Sequence, residues 1–260
     1  MLVQSGSALV FIAKTKTPNE WKIIAQTIQT LVLEASFEGT TEGLSFRAMD
    51  PSHVALIDLN WPNAGFEKYD CDKQHKLTVR VEEFAKLLRR ANSKDAVTIQ
   101  AEDDDMLALK FQNGYKREFK IHLIESTYSP TPLPKLSFNS KMVLKESAFE
   151  DILSDVSTIS DHIILESSKE KVTFMGKSDS GSASIPIEKN NDALESLEVK
   201  EESKATYSLQ YLLNIVKAAG AASEKVTCEY SNKMPLKLEF ALGDTGGRIS
   251  FYLAPRIEER

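Results

Sequence analysis

Glu38 to Asp50 reads EGTTEGLSFRAMD, and Glu166 to Ser178 reads ESSKEKVTFMGKS. In each, residues that suit strands flank a short polar turn, so each reads as strand, turn, strand. The segments that precede them repeat as well. Trp21, Ile24, Ala25, Ile28 and Leu31 carry the i, i+3, i+4, i+7 spacing of an amphipathic helix. The same displacement along the chain carries them onto Phe149, Ile152, Leu153, Val156 and Ile159. A repeat at half the chain length decides the fold as a whole, because both copies must build the same supersecondary unit.

A second unit recurs within each half. Val81, Phe84, Leu87, Leu88 and Ala91 lie on one helix face and lead into AVTIQAEDDDMLALKF. Leu209, Leu212, Leu213 and Val216 do the same before KVTCEYSNKMPLKLEF, where Val97 falls on Val226 and Phe111 on Phe240. Alternation at Val97 and Ile99, and again at Leu107, Leu109 and Phe111, predicts half-buried antiparallel strands. Glu102 to Asp105 and Ser231 to Lys233 read as the polar hairpin turns. Between the halves lies STYSPTPLPKLSFNS, Ser126 to Ser140. Its Pro130, Pro132 and Pro134 forbid helix and central strand and predict an extended connector. The expected organisation is α+β: two similar domains, each with two helices packed on antiparallel sheets of roughly eight strands in all. Residues 1–125 and 141–260 form the domains, and 126–140 the connector.

The chain has 260 residues, 42% of them hydrophobic and 27% charged, the composition of an ordinary globular protein. Its longest mostly apolar stretch, Ile23 to Phe37, is broken by Gln26, Thr27, Gln29, Thr30 and Glu34 and is too polar to span a bilayer. The N-terminus lacks the pattern of a secretory signal. Cys71 and Cys228 have no metal-type spacing and read as reduced thiols, which points to a cytoplasmic or nuclear compartment. A net charge of −6 argues against a uniformly basic nucleic-acid binder, but does not say where the charges sit.

An enzyme reading needs a chemical constellation, and GxxxxGK[ST], GxSxG and HExxH are all missing. The run Glu102 to Asp105 falls at a hairpin tip, where acidic residues are common turn formers. His53, His75, His122 and His162 are scattered. No catalytic residue, metal or cofactor is expected.

The helix faces carry the charge pattern. From Arg80 to Ala91, Val81, Phe84, Leu87 and Leu88 fall on one side while Lys86, Arg89 and Arg90 fall on the other. Gln210, Asn214 and Lys217 share one face of the helix near 208–219, and Lys22, Gln26 and Gln29 share one face of the first helix. The helix at 147–159 exposes Glu150, Asp151, Ser154 and Thr158, with no base. Taken alone, each such face reads most simply as a solvated one.

Three stretches, AMDPSHVALIDL (Ala48 to Leu59), GFEKYDCDK after it and the terminal YLAPRIEE, resemble the sliding-clamp family of proliferating cell nuclear antigen, its archaeal members in particular. The resemblance covers nearly the whole chain, apart from Met1 to Ala8. It implies a trimeric, pseudo-sixfold ring with sheets outside and helices lining a hole for duplex DNA. Such a ring is a processivity factor for DNA polymerase and a docking platform. Lys22, Lys86, Arg89 and Lys217 match basic positions lining the hole, with Arg90 beside them. The implied partners are DNA polymerase, a clamp loader, flap endonuclease and DNA ligase, each inserting a short peptide. By matched position their groove comprises Met49, His53, Val54 and Leu56, then Leu133, Pro134 and Phe138 of the connector, then Met234, Pro235, Tyr252, Ala254, Pro255 and Ile257. The subunit seam would pair Tyr115 to Leu123 with Ser182 to Glu188, bringing in Phe119, Ile121, Val156, Ile159 and Ile185. A homotrimer is the expected assembly, and a checkpoint-type clamp or a scaffold without DNA tethering is the alternative.

Overall fold

The repeated periods become repeated elements in the computed structural model, which describes residues 11–101, 105–126, 131–133 and 135–256. Two units form. One takes Met1–Ala48, Asp58–Thr131 and Leu242–Gly247; the other takes Met49–Ile57, Pro132–Ala241 and Arg248–Arg260.

In the first unit the chain runs through β1 (Phe11–Thr15), α1 (Asn19–Gln29), β2 (Glu34–Thr40) and β3 (Gly43–Met49). It continues with β4 (Ala55–Pro62), β5 (Lys68–Cys71), β6 (His75–Arg80) and α2 (Val81–Leu88). Strands β7 (Ala96–Ala101), β8 (Met106–Asn113) and β9 (Tyr115–His122) follow. One sheet has the order β5-β1-β7-β8-β9, and β3, β2 and β6 lie side by side in another. Phe11 sits opposite Cys71 on one side and Ala101 on the other, which sets β1 between β5 and β7. The β8–β9 hairpin turns on Gly114, whose φ of 77° is costly for any residue with a Cβ.

Helices α1 and α2 pack against each other. Trp21 of α1 is buried edge-on to Trp61 at 4.9 Å and to Phe84 of α2 at 6.3 Å between ring centroids. Each such aromatic pair is worth about 0.5–1.5 kcal/mol beyond the area it buries.

The second unit repeats the order: β10 (Ser140–Lys145), α3 (Glu146–Ser157), β11 (His162–Ser167), β12 (Lys171–Ser178), β13 (Gly181–Glu188) and β14 (Leu194–Val199). Then come β15 (Ser203–Ser208), α4 (Leu209–Ala219), β16 (Lys225–Tyr230), β17 (Leu236–Leu242) and β18 (Gly247–Leu253). One sheet runs β13-β12-β11-β15, and β14, β10, β16 and β17 are successive neighbours in another. Phe149, the counterpart of Trp21, packs 6.1 Å from Phe174, the counterpart of Phe46. The matched segments of the repeat thus supply matched core residues.

Two details differ from the sequence reading. Among the described residues each half holds nine strands; β5 is four residues long, too short for alternation to reveal. Helix α2 ends at Leu88, although its apolar period runs on to Ala91. The buried Asp95 carboxylate captures the Asn92 N–H at 2.6 Å and holds the chain in a turn there. Residues 131–133 and 135–138 carry neither helix nor strand, while Pro130 and Pro134 lie outside the described residues. So do Met1 to Ala8 and Glu102 to Asp104. No described helix is long and apolar enough to cross a membrane.

Candidate functional site

The charges of α2 are graded along its axis. Glu82 and Glu83 occupy its first turn and Lys86 its last, each sign placed where the helix dipole favours it. Lys86, Arg89 and Arg90 are exposed. Lys22 of α1 is half-buried and donates from Nζ to the Ala91 carbonyl at 2.6 Å. Four of the basic residues singled out from sequence therefore gather around one end of one helix. Lys217 belongs to the other unit, exposed in the last turn of α4 with Gln210 and Asn214 exposed on the same helix.

Arg117 of β9 underlies this basic cluster and was not singled out by its sequence context. It donates to the Arg90 carbonyl at 2.9 Å and bonds the Asp95 carboxylate. Its guanidinium lies 5.5 Å from the Phe111 ring centroid and 5.7 Å from that of Tyr115. No local pattern marks Arg117 and Asp95 as partners, since the β7–β8 and β8–β9 pairings together bring them close.

On α3, Asp151 and Ser154 are exposed and Glu150 is half-exposed, and Thr158 just past its end is exposed. Burial pushes the Glu146 carboxyl above its ordinary value, and the charges of Glu150 and Asp151 push it the same way.

The proposed groove residues fall within the second unit. Met49, Val54, Phe138, Met234, Pro235, Tyr252, Ala254 and Pro255 are half-exposed, and His53 and Leu133 are exposed. Three stretches are pinned there by hydrogen bonds. The Ala254 N–H donates to the Val54 carbonyl at 2.8 Å, and the Tyr207 hydroxyl to the Met234 carbonyl at 2.8 Å. The Asn139 N–H donates to Ser231 Oγ at 2.8 Å, anchoring the end of the connector. Leu56 is a correction: it is 3% exposed and belongs to the core, because β4 is buried on both faces over that stretch. Pro134 and Ile257 lie outside the described residues.

Asp50 opens the turn that carries His53 and Val54. Its carboxylate accepts four hydrogen bonds, from the N–H groups of Ser52, Val54 and Ala55 and from the Tyr211 hydroxyl. Burial pushes its pKa up, but the four donors together outweigh that and hold it below the ordinary aspartate value. Asp-Pro-Ser is a turn signal that could have drawn attention to it.

The two strands matched to the seam both lie at sheet edges. Among the described residues β9 pairs only with β8, and β13 only with β12. Both show the same pattern, in which exposed residues alternate with half-buried ones. Phe119 and Ile121 are half-buried on β9, as are Ile185 and Ile187 on β13. Phe119 also packs against Phe111, with ring centroids 5.7 Å apart and a tilt of 47°. Ile159 is half-exposed. Val156 is a second correction: it is fully buried on the α3 core stripe, against Gly176, and offers no surface to a neighbour.

Comparison with known proteins extends these observations. The family model for the N-terminal domain of proliferating cell nuclear antigen matches residues 10–127, and that for its C-terminal domain residues 132–256. A DNA polymerase sliding clamp from Cenarchaeum symbiosum is 49% identical, over 96% of this chain and 99% of that one. One from Nitrosopumilus maritimus is 46% identical, over 96% of this chain and 100% of its own length. In three dimensions, a crystal structure of PCNA from Thermococcus kodakaraensis superposes with a TM-score of 0.90 at 27% identity, covering 95% of this chain and all of the other.

Proposed function

The chain belongs to the proliferating cell nuclear antigen family of DNA polymerase sliding clamps, and from that premise we propose that three copies close into a ring around duplex DNA. The ring tethers a DNA polymerase and other replication and repair enzymes, and performs no chemistry of its own. The helix faces with Lys86, Arg89, Arg90 and Lys217 look toward the DNA. Phosphate contacts give affinity without sequence information, which is what a sliding ring requires.

The observation that carries this reading is the matched pair of free sheet edges. An exposed edge strand is a template for pairing, and proteins normally cover or blunt it. Among the sheet-edge strands of the described residues, β9 in one unit and β13 in the other share the same exposure pattern. Joining β9 of one copy to β13 of the next is a head-to-tail contact that closes when the rotation fits. Charge supports that join. Helix α2 lies against β9 and α3 lies against β13, so the join sets the cations Arg89 and Arg90 near the anions Asp151 and Asp155. The acidic face of α3, unexplained as a DNA contact, then has a seam partner.

The half-exposed apolar surface around Met49, Val54, Met234, Tyr252 and Pro255 suits a peptide with one apolar and two aromatic anchors, since methionines adapt to varied shapes. Polymerase, clamp loader, flap endonuclease and ligase are the partners we assign to it. The deciding experiment is light scattering across a concentration series. A mass of three times 29.0 kDa supports the self-closing ring. A monomer at every concentration rejects a ring made of this chain alone.

A further inference from the structure

We propose that Asp50 is a positioning residue for partner docking. It presets the turn at 50–55 in the shape an incoming peptide needs, an inference that rests on the groove reading above. Asp50 is 5% exposed, and both its oxygens are saturated. Oδ1 accepts the Val54 and Ala55 N–H groups, each at 2.7 Å. Oδ2 accepts the Ser52 N–H at 3.1 Å and the Tyr211 hydroxyl at 2.8 Å. The backbone adds two bonds: the Asp50 N–H donates to the Ala55 carbonyl at 2.8 Å, and the His53 N–H to the Asp50 carbonyl at 2.9 Å.

This network holds a conformation the turn does not favour by itself. His53 has φ of 57°, a left-handed geometry uncommon outside glycine, so its neighbours must determine it. The consequence reaches the groove wall directly. Val54 gives its N–H to Asp50 and its carbonyl to the Ala254 N–H, so one residue joins the carboxylate to the C-terminal strand's end. Through Tyr211, in the first turn of α4, the same carboxylate is fixed to a helix. A surface ordered before binding loses less entropy when a peptide docks. Aspartate suits the place because it accepts at both oxygens. Asparagine would turn an NH2 toward donors and leave backbone N–H groups unpaired.

The test compares wild type, Asp50→Asn and Tyr211→Phe by calorimetric titration with a synthetic peptide bearing one apolar and two aromatic anchors. Hydrogen exchange at residues 52, 54 and 55 and thermal melts accompany it. We expect Asp50→Asn to bind about tenfold more weakly, with a less favourable entropy, and Tyr211→Phe about threefold. The three amides should exchange faster in free Asp50→Asn and slow again once peptide saturates it, a recovery that a purely structural role would not give. Affinity within twofold of wild type, even with a lowered melting temperature, rejects the positioning role. If Asp50→Asn does not fold, Tyr211→Phe, which keeps the carboxylate, decides alone by the same affinity and exchange criteria. Failure of wild type itself to bind would instead overturn the groove reading, and this inference with it.

Discussion

At the residue scale, Arg117 joins an edge strand to the end of a helix through a carboxylate that is almost fully out of water. Asp95 has 1% of its side chain exposed and Arg117 20%. Removing one partner of such a pair leaves the other charge buried and uncompensated, which costs about 3 kcal/mol or more. Arg117→Met should therefore lower the urea midpoint markedly, and adding Asp95→Asn should restore part of the loss. Additive losses in the double variant would show that the two groups are not coupled. Glu146 behaves in the opposite sense. Its carboxyl is held above the ordinary value by burial, with Glu150 and Asp151 adding to it, so the proton is bound more tightly in the folded state. Stability is unaffected below the unfolded pKa and is lost as pH rises through the folded one. Glu146→Gln should accordingly melt at a higher temperature than wild type at pH 7, and the gain should vanish below about pH 4. A gain that persists in acid would point to a cause other than charge.

Elements were legible in the sequence wherever their period was long and their partners local. The helix stripes and the strand-turn-strand repeats appear where alternation and helical spacing placed them, while Arg89 and Arg90 lie just past the end of α2. What stayed hidden depended on pairings distant in sequence. Nothing near Asp95 announces Arg117, and the apolar period through Ala91 could not show that the backbone leaves the helix after Leu88. Val156 and Leu56 illustrate the same limit, since an apolar stripe does not reveal whether it meets its own core or a neighbour's surface. Both proved to be core. The edge strands bear the prediction proper to this scale. Phe119 stands half-buried on β9, backed by Phe111. Phe119→Ser removes apolar area from the proposed seam while leaving the ladder of β8 and β9 intact. Its mass by light scattering should fall toward one chain at low concentration, with unchanged circular dichroism. A trimer that survives dilution would exclude this strand from the seam.

For the whole molecule the question is what keeps a clamp on DNA when its net charge is −6. Phosphate attraction alone is a poor candidate. The cations cluster at one end of α2, Lys22 already serves the Ala91 carbonyl, and α3 presents acids. Binding held by a handful of neutralised phosphates weakens steeply with salt, by a slope of about 0.9 in log affinity against log salt for each phosphate. Held in that way only, the protein should leave DNA readily at high salt. A closed ring escapes that limit, because it leaves only by opening or by sliding off an end. Loaded onto nicked circular DNA, the protein should therefore survive a high-salt gel filtration step, and it should be shed once the same DNA is cut to a linear form. Double charge reversal, Lys86→Glu with Lys217→Glu, separates the two contributions. The ring should keep its trimeric mass, yet fewer rings should be loaded and primer extension on circular templates should shorten. Unchanged extension would remove these side chains from the DNA path, whereas equal release from circular and linear DNA in wild type would mean that topology does not hold the clamp.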